Sequence, residues 1–211
     1  GKWDSAALEK DLRESVIEKV YQHSRETNQP VLCIIDDTIA SKTRPSSQAV
    51  HPMEATSNHM SHLKGRMDYG HQAIGVMLAC GELVLNYAIL LYDKSQSKID
   101  MVSSIANTLP EPPNIGYLLC DSWYTCDVEV FFRTTKGKLA LDKYQLRSAT
   151  GIRRFWLLMS LTHFLCCVGS GVLRSFSEGY EYWQTLVLRN VVQHVYNCGK
   201  NGTPLAMLGI G

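Results

Sequence analysis

Two short apolar runs rich in branched residues each end on aspartate: residues 31–35 lead into Asp36-Asp37, and residues 115–120 lead into Asp121. A run of this length bounded by turn residues predicts a strand buried on both faces, as in the middle of a helix-covered sheet. The chain is therefore expected to form a layered α/β domain with two central strands. Each strand would deliver a carboxylate at its C-terminal end, where open α/β sheets tend to place their sites.

The segments around these runs supply the layers. Residues 3–25 place Leu8, Leu12, Val16, Val20 and Tyr21 at helical spacing, and Asn28-Gln29-Pro30 closes that amphipathic helix. Residues 40–69 are polar and rich in Ser, His and Met, which predicts a long loop. Residues 71–80 and 83–92 flank Gly81-Glu82 and read as a hairpin. A helix over 95–108 is stopped by Pro110, Pro112 and Pro113. Further helices are expected over 129–138, 148–169 and 178–198, with Gly199 closing the last. The expected organisation is an N-terminal amphipathic helix (1–30), a mixed-sheet core flanked by helices (31–169) and a C-terminal helical segment (170–211).

Composition bears on partners and compartment. A net charge of +1 gives no global signal for nucleic acid. Locally, residues 133–154 hold Arg133, Lys136, Lys138, Lys143, Arg147, Arg153 and Arg154 against the single acid Asp142, an excess suited to phosphates. The seven cysteines form no CxxC pair, which points to a reducing, intracellular setting. The longest apolar run, residues 155–168, is too short to cross a bilayer and predicts a buried helix, so no membrane association is expected.

Asp37 (or its neighbour Asp36), Asp121 and Glu129 form the candidate acidic site. Hard divalent cations prefer carboxylate oxygen, and two such ions about 3.5–4 Å apart activate a nucleophile and stabilise a leaving oxygen in phosphodiester chemistry. Glu129, Arg133 and Lys136 share one face of a helix, so one element presents a metal ligand and two phosphate-binding cations. His51, His59, His62 and His71 lack the thiolate or carboxylate support of a zinc site. Cys120 or Cys126 with His163 lacks a third, orienting group. Trp123, Tyr124, Phe131 and Phe132 read first as core, with stacking on an unpaired base as their functional alternative.

Four motifs carry a resemblance: Ile34-Ile35-Asp36-Asp37-Thr38, Tyr69-Gly70-His71-Gln72, Leu119-Cys120-Asp121-Ser122-Trp123-Tyr124, and Glu129 through Lys136. Together, over about residues 31–169, they resemble bacterial insertion-sequence transposases of the DDE superfamily, in the group with a tyrosine–arginine–glutamate–lysine signature. The resemblance implies a ribonuclease-H-like core, two Mg²⁺ (or Mn²⁺) ions, cleavage of DNA at transposon ends and strand transfer into target DNA. It implies Asp37, Asp121 and Glu129 as catalytic metal ligands, with Lys136 as the signature's lysine; the local basic excess makes Arg133, Lys136, Lys138, Lys143 and Arg147 candidate DNA contacts, and His71 joins them from its place at the start of the hairpin. It also implies a bacterial, cytoplasmic, nucleoid-associated protein and leaves homo-oligomer formation open.

The sequence departs from that pattern in two ways. Ser122 and Thr125 stand where the signature has tyrosine and arginine, and only seven residues separate Asp121 from Glu129, where the family has a further strand and helix. An internal deletion near 122–128 accounts for both. Eight chain steps reach roughly 26–29 Å, so the two acids remain within range of one site. The alternative expectation is a catalytically impaired remnant that binds DNA or oligomerises without cutting.

Overall fold

The computed structural model describes residues 3–46, 48–49, 52–61, 64–120 and 126–202, with side chains from residue 131 onward in the last of these stretches. Five strands form one mixed sheet: β1 (Val31–Ser41), β2 (Ser57–Ser61), β3 (Arg66–Cys80), β4 (Leu83–Tyr92) and β5 (Gly116–Cys120). β3 is the spine. Along one edge it pairs antiparallel with β1, from Leu32↔Ala79 to Ser41↔Gly70. Its other edge is shared, with β2 against residues 66–70 and β4 against residues 72–80. β5 joins the far side of β1 in parallel, from Val31↔Gly116 to Ile35↔Cys120. Gly81 turns the β3–β4 hairpin at φ +59°, a conformation glycine adopts without steric cost.

Helices lie on both faces. α1 (Ser5–Thr27) starts where the Asp4 carboxylate accepts the Ala6 and Ala7 N–H groups at 3.0 and 3.1 Å, and ends on left-handed Asn28. It buries Leu12, Val16, Val20 and Tyr21 and packs on β4, β3 and β1. α2 (Lys98–Ala106) starts at the Ser97 cap. On the opposite face, α3 (Cys126–Lys138) and α4 (Ala149–Val168) enclose a core in which Phe131, Phe132, Ile152 and Trp156 meet Ile34, Ala73 and Met77.

The chain divides into two compact units, residues 1–164 and 165–211. In the second, a capping box at Ser175 and Glu178 opens α5 (Phe176–Lys200). Gly179 fits tightly against the Cys166 carbonyl, and the Trp183 indole N–H donates to Leu165 O at 3.1 Å. Among the described residues no helix is long and apolar enough to cross a membrane.

The α/β class and the mixed sheet flanked by helices follow the sequence expectation, with three differences. β1 runs six residues past its apolar stretch, so Asp36 and Asp37 lie inside a strand rather than at its end. The polar stretch expected to be loop contains β2 and the start of β3. It is also tied down by Lys42, whose ammonium donates to Asp142 O and Tyr144 O at 2.7 and 2.8 Å. The third difference is a correction: β5 is not buried on both faces. Tyr117 and Leu118 are 51% and 55% exposed, because β5 is the edge strand of the sheet among the described residues. Its apolar pattern carries no information about whether a neighbour lies beyond it.

Candidate functional site

Successive strand side chains point to opposite faces, so Asp36 and Asp37 serve different layers. Asp36 pairs in register with Gly75, on the face of Ile34 and Thr38. There a Cβ on Gly75 would lie 2.7 Å from Phe132 Cζ, so α3 lies directly over this part of the sheet. Asp36 Oδ1 also accepts the Asp37 N–H at 2.7 Å, which orients its carboxylate.

Asp37 faces the other way, and both its oxygens are engaged. Gln72 Nε2 donates to Oδ1 at 2.9 Å, and Lys98 Nζ donates to Oδ2 at 2.6 Å. Buried His59 stands close by, hydrogen-bonded through Nε2 to Ser57 Oγ at 2.8 Å. Burial, with the positive charges of Lys94 and Lys98, holds its pKa below the ordinary histidine value. Lys94 in turn donates to Asn58 O at 3.0 Å. The Asp37 face is thus a closed polar network with two ammonium groups at its rim. Sequence reasoning assigned no role to Lys98 or Gln72. Lys98 lies 61 residues from Asp37 and leaves no local signal.

α3 brings Lys136 to the other face. Its ammonium donates to Thr38 Oγ1 at 2.7 Å and reaches Ile39 O at 3.4 Å, and burial lowers its pKa. Of the other basic candidates, Arg133, Lys143 and Arg147 are exposed and Lys138 is half-buried. Outside that set, Arg153 pairs with Asp93 at 3.3 Å, and Arg154 stacks over Trp3 with 5.4 Å to the ring centre.

His71 departs from its expected DNA contact. It is fully buried, with Nε2 at 2.9 Å from Glu54 O and Nδ1 at 3.0 Å from the Tyr144 hydroxyl. It ties β3 to the segments on either side instead. His163 is likewise buried, against the Phe131 ring at 5.0 Å. Burial pushes its pKa down to about 4, so at neutral pH it is an uncharged core residue.

Asp121, with residues 122–125 of the proposed deletion junction, lies outside the described residues, as do His51, His62 and the Glu129 side chain. Ile35 is the register partner of Cys120, so Asp36 and Asp121 each follow directly from one adjacent pair. Position 129 lies two turns before Lys136 in α3, on the same helical face. The donor chemistry of Asp37 (or its neighbour Asp36), Asp121 and Glu129 is all carboxylate, which fits Mg²⁺ or Mn²⁺ and disfavours soft metals. Among the described residues, no three His, Cys, Asp or Glu side chains form a group able to hold a metal ion.

No protein-family model, curated protein or solved structure matches this chain.

Proposed function

We propose that this chain derives from a metal-dependent DNA strand transferase of the DDE transposase type, built on a ribonuclease-H-like core. One carboxylate comes from the Asp36–Asp37 pair, with Asp121 and Glu129 completing the set. The observation that carries this reading is the junction of β1, β5 and α3. β1 carries Asp36-Asp37 within it, its parallel neighbour β5 is followed in sequence by Asp121, and α3 lies over β1 with Lys136 engaging Thr38. An antiparallel β4-β3-β1 unit with β5 added in parallel, and helices on both faces, supports the same reading.

When bound, two divalent ions supply activation of the attacking oxygen and stabilisation of the leaving one. The chain's own residues supply the carboxylates and an array of cations. Exposed Arg133, Lys143 and Arg147 would neutralise backbone phosphates, and their contribution would weaken as salt rises. The partner is DNA, both transposon ends and target.

A second reading, an impaired remnant that binds without cutting, is favoured by the β5 edge, which has no neighbouring strand among the described residues, and by the seven-residue Asp121–Glu129 interval. Nicking of DNA carrying the element's ends, in Mg²⁺ or Mn²⁺, separates the two. Cleavage abolished by Asp121→Asn supports the enzyme, and DNA binding without cleavage supports the remnant. Equal cleavage by the variant overturns the proposed site.

A further inference from the structure

We propose that the outer edge of β4, recessed between α1 and α4, is a docking groove for an extended, uncharged peptide segment that joins the sheet as a further strand. This groove uses none of the acidic candidates and serves the chain whether or not it cuts DNA.

Its place follows from the residues that line it. Five consecutive β4 residues, Tyr87 to Leu91, border one cavity of about 330 Å³. Side chains of a strand alternate between faces, so a cavity touched by all five runs along the strand's edge. The helices agree: α1 contributes Leu12 from one face of the sheet, and α4 contributes Leu157 from the other. β4 pairs with β3 along its inner edge, and among the described residues no strand pairs with its outer one. Nor, among them, does a backbone hydrogen bond tie residues 87–91 to a segment outside the sheet. The Ala88 carbonyl accepts the Asn86 side-chain amide at 3.2 Å, a contact within β4 itself. Alternate residues of such an edge turn N–H and C=O outward, and an unpaired edge is a template for another chain.

The chemistry of the groove selects its occupant. The floor is backbone amide, which an extended chain matches group for group, five residues covering about 17 Å. Leu12 and Leu157 make the walls apolar, which suits small or β-branched side chains pointing alternately to either side. Each end carries charge already neutralised within the chain: Glu9 by Arg13, and Asp93 by Arg153 at 3.3 Å. A charged side chain laid between them would lose water and gain no free counter-charge, so the segment is uncharged. The volume lies at the small end of the range of ligand sites, about 300–1,000 Å³, and fits a short segment. A second copy would bring its own α1 and α4 against the same two walls, whereas a single strand brings none.

The test is a titration of the whole chain with a blocked pentapeptide of alternating valine and threonine, followed by amide chemical shifts in NMR. Saturable shifts centred on residues 87–91 are expected. Two further peptides carry N-methyl groups on one or the other set of alternate amides. One of them is expected to bind about tenfold or more weakly and the other like the parent peptide, because only one set faces the strand. Leu157→Lys, which puts an ammonium into the wall, is expected to weaken binding about tenfold or more. Leu158→Lys, at the exposed neighbouring position, should change it by about twofold or less. Thermal unfolding establishes that both variants are folded. Absence of saturable shifts, or shifts centred away from residues 87–91, overturns the proposal. Equal binding by the two N-methylated peptides overturns strand pairing. Shifts at residues 87–91 that follow the concentration of the chain alone would put a second copy in the groove and overturn the peptide assignment.

Discussion

At the scale of single residues, Gly75 shows how little room separates the sheet from α3. The Phe132 ring tip stands where a β-carbon would go, and Phe132 is only 4% exposed, so it has no solvent to retreat into. Gly75→Ala is therefore expected to destabilise the chain by about 1–3 kcal/mol, the usual cost of overpacking, as read from urea unfolding. An unchanged midpoint would mean that α3 is not seated as described. The same scale shows what the sequence held and what it hid. Asp36 and Asp37 were identifiable as candidates because an apolar run led directly into them. Their division between two faces was not legible, because it depends on where β1 stops. Their own polarity suggested a turn, whereas Gln72, Lys98 and the Asp37 amide satisfy them inside a strand. Those partners come from distant segments that no local pattern connects.

At the scale of elements, the hairpin and α1 were readable because each is closed by local chemistry: Gly81 in the turn, and Asp4 and Asn28 at the helix ends. The stretch between β1 and β3 was not, because its order comes from long-range ties. Glu54 supplies three of them. Its backbone N–H donates to Arg147 O at 2.9 Å, its carbonyl meets His71, and its carboxylate accepts the Ala149 N–H at 2.7 Å. A carboxylate on the first amide of α4 satisfies an orphan donor and complements the positive end of the helix dipole. Glu54→Ala is expected to cost on the order of 1 kcal/mol, with Glu54→Gln losing less. Thermal unfolding measures both, and equal stability of all three proteins would remove this tie from the account. β5 is the expected strand, but its expected burial failed for a different reason. An apolar strand reads the same whether it is interior or left at an edge, since the difference lies in what stands beside it.

At the scale of the molecule, the buried histidines set a pH dependence. His163 is held at about 4 by burial, against an ordinary value of 6.5, and His59 and His71 are lowered in the same direction. A depressed folded pKa means that the unfolded chain binds the proton first. Stability from these groups is therefore complete above about pH 6.5 and is lost as pH falls below it, for His163 down to about 4. For His163 the full loss should be about 3 kcal/mol, of which about 2 kcal/mol falls between pH 7 and pH 5. Unfolding midpoints at about pH 7 and about pH 5 should differ accordingly, and His163→Met should flatten the slope. A parent chain equally stable at both values would sink this prediction.

The parallel join of β1 and β5 also has a kinetic consequence. It pairs residues 31–35 with 116–120 across a long stretch of chain, whereas β3 and β4 meet through a two-residue turn. Closing a long loop costs entropy before any contact is gained, and among the described residues β5 is held from one side only. β5 should therefore be the last strand to dock during folding and among the first to open in the native ensemble. Amide exchange in residues 116–120 is therefore expected to be faster than in residues 72–80 of β3, and equal protection of the two strands would sink this expectation.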